Sequence, residues 1–251
     1  MGRFLIKEEV EALRRSGQIL GEVLKKIRSL IVPGVRASSI DQVAEKEIRR
    51  LGARPAFLGY RGYPASVCVS LNDEVVHGIP RDQVVKEGDL VSIDLGVEFD
   101  GFYTDAAFSV VVGNGNALAR RLVEVTREAL YAGIKKAIPG NRIGDISHAI
   151  QMVAERNGFS VVRDLVGHGI GRALHEEPQV PNFGKKGQGT LLEKGMVLAI
   201  EPMVNEKGYR VKVLKDGWTI VTEDGGLSAH FEHTILVTDG APEILTSWER
   251  G

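Results

Sequence analysis

The sequence repeats a helix-and-strand pattern in its two halves, and this repeat limits the possible folds more than any other feature. A Pro-Gly turn, an isoleucine and a closing glycine recur at a constant offset of 106 residues: Pro33-Gly34, Ile40 and Gly52, then Pro139-Gly140, Ile146 and Gly158. Segments 86–94 and 193–201 are also alike, and each ends an apolar strand on a carboxylate, Asp94 or Glu201. Two such halves would pack about a pseudo-twofold axis where these carboxylates meet. The alternative is a chance similarity between amphipathic segments.

The remaining pattern predicts a mixture of helices and strands. Apolar residues at alternating steps of three and four predict helices over 10–31, 40–51, 117–137 and 143–157. Short β-branched runs predict strands over 66–71, 90–95, 103–112, 161–166, 196–200, 209–215, 219–222 and 232–238. We found no low-complexity linker, so we expect a single domain over residues 1–251.

Composition narrows the class of protein. Of the 251 residues, 32 are Lys or Arg and 33 are Asp or Glu, and this near-balance argues against binding a polyanion through bulk charge. The single cysteine excludes an intramolecular disulfide, as is usual in a reducing compartment. No run reaches the ~20 apolar residues that span a bilayer, and the first thirty residues contain no signal-peptide pattern. We therefore expect a cytoplasmic protein with no membrane partner.

Two aspartates lie in apolar strands, where aspartate is rare. Asp94 and Asp105 flank Asp100-Gly101, a hairpin signal. If residues whose numbers sum to 199 lie opposite each other, the two carboxylates emerge side by side. Adjacent carboxylates repel unless they are protonated or bridged by a cation. The alternative is that one faces solvent and the other caps a loop.

Three further residues extend the aspartate pair. Glu201 ends one apolar strand, Glu232 begins another, and His168 stands between two glycines. Glutamates are rarely buried unless they are paired or bind a metal. Four carboxylates would be neutralised by two divalent cations, so the set predicts a dinuclear metal centre with one imidazole ligand.

A series of motifs runs in order along nearly the whole chain: Gly59-Tyr60-Arg61-Gly62-Tyr63-Pro64, Ser70-Leu71-Asn72-Asp73-Glu74-Val75-Val76-His77-Gly78-Ile79-Pro80, Asp94-Leu95-Gly96, Asp105-Ala106-Ala107, Gly167-His168-Gly169-Ile170-Gly171, His175-Glu176-Glu177-Pro178, Ala199-Ile200-Glu201-Pro202 and His230-Phe231-Glu232-His233-Thr234. With this series the chain resembles the type I methionine aminopeptidases, the small bacterial form of the pita-bread metallopeptidases. The resemblance implies an α+β fold of two pseudo-symmetric halves, with a curved, mostly antiparallel central sheet and the metal site at its centre.

The resemblance also implies the activity, which is hydrolysis of an N-terminal methionine from peptides and nascent proteins when the next residue is small. The resemblance further implies that two divalent ions (Co, Mn, Fe or Zn) are bound by the five residues Asp94, Asp105, His168, Glu201 and Glu232. Glu201 would be the proton shuttle, and His77 and His175 would bind the scissile peptide, His175 at the carbonyl oxygen. We expect His230 and His233, which flank Glu232, to point away from the ions. His148, in a helix pattern, is interpreted as structural.

By the same resemblance, Tyr63, Cys68 and Trp218 line the methionine pocket and Tyr60 lies at its entrance. The sequence departs from the family pattern at Leu174, where an aromatic residue is frequent, and at Phe57, which is often cysteine. A weaker resemblance is to a monovalent-cation site formed by loop residues: Asn72, Glu74 and Ser228.

The partners implied are N-terminal methionine peptides, nascent proteins and the ribosome as a candidate. We expect a monomer that does not read nucleic acid directly. One rival function is that of a prolidase or aminopeptidase P, which would use the same ligands. The other is a pita-bread binding protein without catalysis, although such proteins usually lose metal ligands and all five positions are filled here.

Overall fold

The helices follow the apolar stripes predicted from the sequence. The computed structural model describes residues 6–248, and its helices are α1 (Lys7–Leu30), α2 (Ala37–Arg50), α3 (Ala117–Ile134) and α4 (Ile143–Arg156). Helix α2 begins before the predicted residue 40 because a neighbouring loop supplies its first acceptors. The N–H of Ala37 donates to the carbonyl oxygen of Gln83, and that of Ser38 to Arg81.

The strands are short, apart from one long hairpin. They are β1 (Arg54–Pro55), β2 (Cys68–Leu71), β3 (Glu74–Val76), β4 (Leu90–Phe99), β5 (Phe102–Val111), β6 (Ser160–Val161), β7 (Val166–Gly169), β8 (Glu176–Pro181), β9 (Val197–Ile200), β10 (Met203–Asn205), β11 (Val211–Val213), β12 (Ile220–Thr222), β13 (Ser228–His230), β14 (Glu232–Leu236) and β15 (Glu243–Ile244). The prediction of one strand over 161–166 was wrong, because β6 and β7 are separate strands in different sheets.

One large antiparallel sheet organises the molecule. Its strands follow the order β1-β4-β5-β14-β9-β7-β8, with β2 added beside β4 and β15 beside β14. Alternation along β4 places Ile93 and Leu95 in the core that the helices also fill, while Asp94 faces the other side of the sheet. The helices therefore cover one face, and the opposite face is left for polar side chains.

Two smaller sheets lie beside the large one. They have the strand orders β13-β10-β6 and β11-β12-β3. Strand β13 also packs against β3, β4 and β5, so it joins the two small sheets to the large one. Among residues 6–248, no helix combines the length and apolar character needed to cross a membrane.

The sequence repeat is a repeat of structure. In the first half, the N–H of Gly34 donates to the carbonyl oxygen of Val85 at 2.8 Å, and in the second half Gly140 donates to Leu192 at 3.1 Å. Single β-bridges join Arg36 to Val84 and Arg142 to Leu191: Arg142 lies 106 residues after Arg36, and Leu191 lies 107 after Val84. Equivalent loops thus precede the second helix of each half, α2 and α4. The prediction of two pseudo-symmetric halves around a mostly antiparallel sheet is confirmed.

Candidate metal centre and adjoining pocket

The five predicted metal ligands lie on, or directly after, five neighbouring strands of the large sheet. Asp94 is on β4, Asp105 on β5, Glu232 on β14 and His168 on β7, and Glu201 is the first residue after β9. In the order β4-β5-β14-β9-β7 each of these strands is hydrogen-bonded to the next. A set of residues scattered over half the chain is thereby brought into one row across the sheet.

Strand register places these side chains on the same face. Asp94 and Glu232 are both partners of Ala107, from the two sides of β5, and His168 is the partner of Ala199 on β9. Side chains directly opposite each other in a ladder point to the same face. Both alanines are fully buried, and their methyl groups leave space between the longer ligand side chains.

The predicted register of the aspartates was wrong by two residues. Asp94 lies opposite Ala107, and Asp105 lies opposite Gly96, so the numbers of paired residues sum to 201 rather than 199. The reason is the turn, which consists of Asp100 and Gly101 alone, with φ of 50° and 80°. Two residues with positive φ form the tightest hairpin connection. The two aspartates are therefore diagonal neighbours on one face, not direct partners.

The carboxylates are buried without enough partners. Among the described residues, Asp94 Oδ1, Asp105 Oδ1 and Glu232 Oε1 are buried and accept no hydrogen bond. Burial raises the pKa of Asp105 to about 7, and burial together with Asp105 and Glu201 raises that of Asp94. Burying a charged carboxylate without a partner lowers the stability of the folded state. A bound cation would give these orphaned oxygens a partner.

The donor set fits a divalent metal. One ligand atom each from Asp105, His168 and Glu232 lies within 4.8 Å of the other two. Carboxylate oxygens with one imidazole suit divalent ions such as Mn, Fe, Co and Zn. Because Asp105 and Glu232 have orphaned oxygens and also belong to this cluster, the residues present fit a divalent ion.

The hydrogen bonding of His168 leaves one ring nitrogen available as a metal ligand. Its Nδ1 lies 2.8 Å from the carbonyl oxygen of Gly169, which fixes the proton on Nδ1 and leaves Nε2 free as a ligand. Burial, with a contribution from His175, lowers the pKa of His168 to about 4, so the ring is neutral. The flanking glycines are required by packing. A Cβ on Gly169 would lie 2.3 Å from the carbonyl oxygen of Glu177, and one on Gly167 2.5 Å from that of Ala199.

The carboxylate of Glu201 lies between two imidazoles. Its Oε1 is 3.5 Å from His168 Nε2, and its Oε2 is 3.7 Å from His230 Nε2. The expectation that His230 points away from the site was therefore wrong. His230 ends β13 and Glu232 begins β14, which belong to different sheets, so alternation along one strand does not decide where His230 points. His233 does point away, since its Nδ1 lies 3.0 Å from Thr246 Oγ1.

The other two predicted histidines lie at the centre and at the adjoining pocket. The ring centroid of His175 lies 4.3 Å from that of His168, and His175 Nδ1 lies 2.8 Å from the hydroxyl oxygen of Tyr60. His77 follows β3 with φ of 59°, and burial lowers its pKa to about 4. Its ring lies 6.4 Å from that of Trp218. His175 therefore lies beside a predicted ligand, and His77 lies at the edge of the pocket next to Trp218.

The predicted pocket residues form one apolar cluster. Its buried members include Phe57, Tyr63, Cys68 and Leu174, and Tyr60 and Trp218 pack at its edge. Tyr63 and Trp218 meet edge to face, with ring centroids 5.1 Å apart.

Two features join the pocket to the centre and fix its wall. Cys68 is the strand partner of Asp94, so the pocket and the carboxylates share one surface. Burial raises the pKa of the Cys68 thiol, so it packs as a small apolar group rather than acting as a nucleophile. A Cβ on Gly96 would lie 2.9 Å from the Phe57 ring, so glycine makes room for this phenylalanine.

The residues of the weaker cation prediction lie close together. The N–H of Ser228 donates to the carbonyl oxygen of Asn72 at 2.9 Å, and Asn72 has φ of 56°. Glu74 Oε2 accepts the N–H of Leu71 at 2.8 Å. A monovalent ion at this position stays a prediction.

Comparison with known proteins agrees with this geometry. The sequence profile described as metallopeptidase family M24 matches residues 11–239. The chain belongs to metallopeptidase family M24. A methionine aminopeptidase of Clostridium perfringens is 52% identical to this M24 peptidase over 240 residues, which are 96% of each chain. Methionine aminopeptidase 1 of Bacillus subtilis is 48% identical over 238 residues, 95% of this chain and 96% of that one.

Solved structures give the same relationship. The crystal structure of methionine aminopeptidase from Thermotoga maritima superposes on this M24 peptidase with a TM-score of 0.97 at 49% identity, covering 98% of this chain and 100% of the other. The prolidase of Pyrococcus furiosus superposes with a TM-score of 0.80 at 24% identity, and 66% of its chain is covered. At this level of identity, the likeness to the prolidase shows a common pita-bread fold and not a common activity. Within family M24 the chain belongs with the methionine aminopeptidases, which are metal-dependent hydrolases.

Proposed function

We propose that this methionine aminopeptidase releases the first methionine of peptides and nascent proteins whose second residue is small, using two divalent ions. The ions would be held by Asp94, Asp105, His168, Glu201 and Glu232. The observation that carries this proposal is the row of buried carboxylates with orphaned oxygens beside an apolar pocket. When bound, such a metal pair supplies an activated water as nucleophile at neutral pH, the general role of paired metals in aminopeptidase sites.

Glu201 is proposed to carry the proton. General acid–base groups must lie within hydrogen-bond reach of the atoms they serve. The carboxylate lies directly after β9, the fourth of the five strands, and its side chain remains 14% exposed, so we propose that one oxygen reaches the substrate side of the site. It would take a proton from the attacking water and deliver it to the departing amine.

His175 is proposed to stabilise the negative charge that develops on the scissile carbonyl oxygen. If Tyr60 O–H donates to His175 Nδ1, the remaining ring proton must reside on Nε2. The Nε2–H would then donate to the carbonyl oxygen, which is the function of an oxyanion-hole donor. His77, at the pocket edge beside Trp218, would contact the nitrogen of the same peptide bond.

The pocket is proposed to bind the methionine side chain. Tyr63, Cys68 and Trp218 offer an apolar, aromatic surface that suits a thioether. Phe57 and Leu174 keep the wall apolar, so the methionine preference is retained despite both departures from the family pattern.

The proposal extends to the organisation of the chain. We take residues 1–251 as one catalytic domain, whose ends at 1–5 and 249–251 lie outside the described residues. A monomeric state, contact with the ribosome and a monovalent ion at Asn72, Glu74 and Ser228 are further parts of the proposal. Each is testable by sedimentation, ribosome pelleting and potassium-dependent stability, respectively.

The deciding experiment measures methionine release after metal removal. Protein stripped with a chelator and reloaded separately with Mn, Fe, Co or Zn is given Met-Ala-Ser, Met-Lys-Ser and an Xaa-Pro peptide. We expect release from Met-Ala-Ser alone, with about two ions bound per chain. The Asp94→Asn variant should lose both metal and activity. Cleavage of the Xaa-Pro peptide instead, or full activity in the stripped protein, would overturn the proposal.

A further inference from the structure

His230 is a buried histidine that has no role in the reaction as proposed so far. The residue is 1% exposed, and within residues 6–248 neither ring nitrogen has a hydrogen-bond partner. Its backbone, in contrast, is held on both sides by one hydroxyl group. Ser109 Oγ accepts the N–H of His230 at 2.9 Å and donates to its carbonyl oxygen at 2.8 Å. The ring is thus held in place by its backbone while its two polar atoms remain available.

The ring faces the proposed proton carrier. His230 Nε2 lies 3.7 Å from Glu201 Oε2, while the other oxygen, Oε1, faces His168. This distance is longer than the ~2.7–3.2 Å of an N–H···O hydrogen bond, so a shift of less than about 1 Å would complete the bond. Catalytic hydrogen bonds are often long before substrate binds.

The backbone around Glu201 explains why its carboxylate needs such a partner. Strand β9 ends at Ile200, and Pro202 has no N–H to continue the ladder. Regular pairing resumes at Met203, whose strand partner is His230 itself. The residue that carries the proposed proton shuttle therefore lies in a gap between two strands. Its orientation depends on the groups that contact its side chain.

We propose that His230 is a positioning residue for Glu201. Its ring N–H donates to Glu201 Oε2 and holds the carboxylate with Oε1 turned toward His168 and the metal ligands. This inference rests on the proposed role of Glu201. His230 need not touch the substrate, and its effect is exerted through the glutamate.

Two substitutions separate positioning from packing. His230→Gln keeps an N–H donor without the ring, and His230→Phe keeps a ring of similar size without the donor. Partners of metal ligands typically contribute ~10–100-fold to metal affinity or activity. For the Mn-loaded H230F variant we expect kcat on Met-Ala-Ser to fall by about this factor. KM should stay unchanged, and H230Q should recover most of kcat.

A second readout does not depend on activity. Mn affinity, measured by calorimetry on H230F, E201Q and the double variant, should show that H230F weakens binding only when Glu201 is present. Thermal unfolding of the metal-free proteins should be similar for wild type and H230F. Should H230F fail to fold, H230A compared with H230Q gives the same contrast.

Two results would overturn the inference. The first is an H230F variant with the kcat and Mn affinity of the wild type. The second is an equal loss in H230F and H230Q accompanied by lowered thermal stability of both, which would make the ring a packing element. If the wild type releases no methionine but the coupling between His230 and Glu201 in Mn affinity persists, the proposed function fails and the positioning role stands.

Discussion

Replacing Gly17 with alanine tests how closely helix α1 packs against the end of the chain. A Cβ at this position would lie 2.3 Å from the carbonyl oxygen of Leu245, 2.7 Å from its carbonyl carbon and 3.1 Å from its Cβ. Carbon and oxygen normally approach no closer than ~3.3 Å, so the overlap is about 1 Å. Alanine favours the helix by ~1 kcal/mol over glycine. Overpacking costs ~1–3 kcal/mol, and a fixed backbone carbonyl places this site at the upper end.

The expected net loss for Gly17→Ala is therefore about 2 kcal/mol, or ~4–8 °C in Tm for a chain of this size. Circular dichroism melts of the chelator-treated protein measure it. Gly240→Ala is the matched control, because a Cβ added to Gly240 would meet no atom within 4 Å and the residue lacks a positive φ. The N–H of Leu245 donates to Thr234 on β14, so the strain reaches the ligand-bearing sheet. A Gly17→Ala protein as stable as the wild type would refute the reasoning.

Three further predictions concern single side chains. His175→Ala should lower kcat by ~10²–10³ with unchanged metal affinity, as measured by steady-state kinetics and calorimetry. The control variant His148→Ala should keep the turnover of the wild type. An unimpaired His175→Ala enzyme would contradict the assignment of His175 as the oxyanion donor. Cys68 is 3% exposed, and burial raises the pKa of its thiol. It should therefore resist alkylation by iodoacetamide at pH 8 until urea unfolds the protein, as followed by mass spectrometry. Rapid labelling of the native protein would contradict this burial. The side-chain hydrogen bond from Arg14 lowers the pKa of Glu243. This pair therefore stabilises the fold at pH values above the ordinary glutamate pKa of ~4.3, and the stabilisation is lost as the pH falls through the lowered pKa of Glu243. Urea titrations should therefore show Glu243→Gln less stable than wild type by at most ~1 kcal/mol at pH 7, with the difference shrinking by pH 3; a constant difference would contradict the ion pair.

The sequence was sufficient for the parts of the fold that have strong local signals. The four helices carry long apolar stripes, and Asp94 and Asp105 stand out because charges are rare in apolar strands. Their common face was predicted correctly because it depends only on alternation. Their exact register was not, because it depends on whether the turn contains two residues or four, and both lengths suit the sequence around Asp100.

The parts that the sequence could not supply depend on distant neighbours. Strands β3, β10 and β13 have three residues each, too few to show a period, and they exist because other strands pair with them. Strand β8 begins with two glutamates and a proline, which do not favour a strand. The position of His230 beside Glu201 follows from the pairing of β10 with β13, so only the assembled sheet reveals it.

Each half of the chain supplies only part of the donor set. Asp94 and Asp105 come from the first repeat, and His168, Glu201 and Glu232 come from the second, with one donor per strand across five adjacent strands. Loss of any one of these strands from the sheet would break the set, so under the proposed function a partly folded chain would not retain the ions tightly. If the proposed ions bind, metal occupancy would report directly on complete folding. Under the proposed function, metal-free molecules would therefore be less stable and more sensitive to proteases than metal-loaded ones.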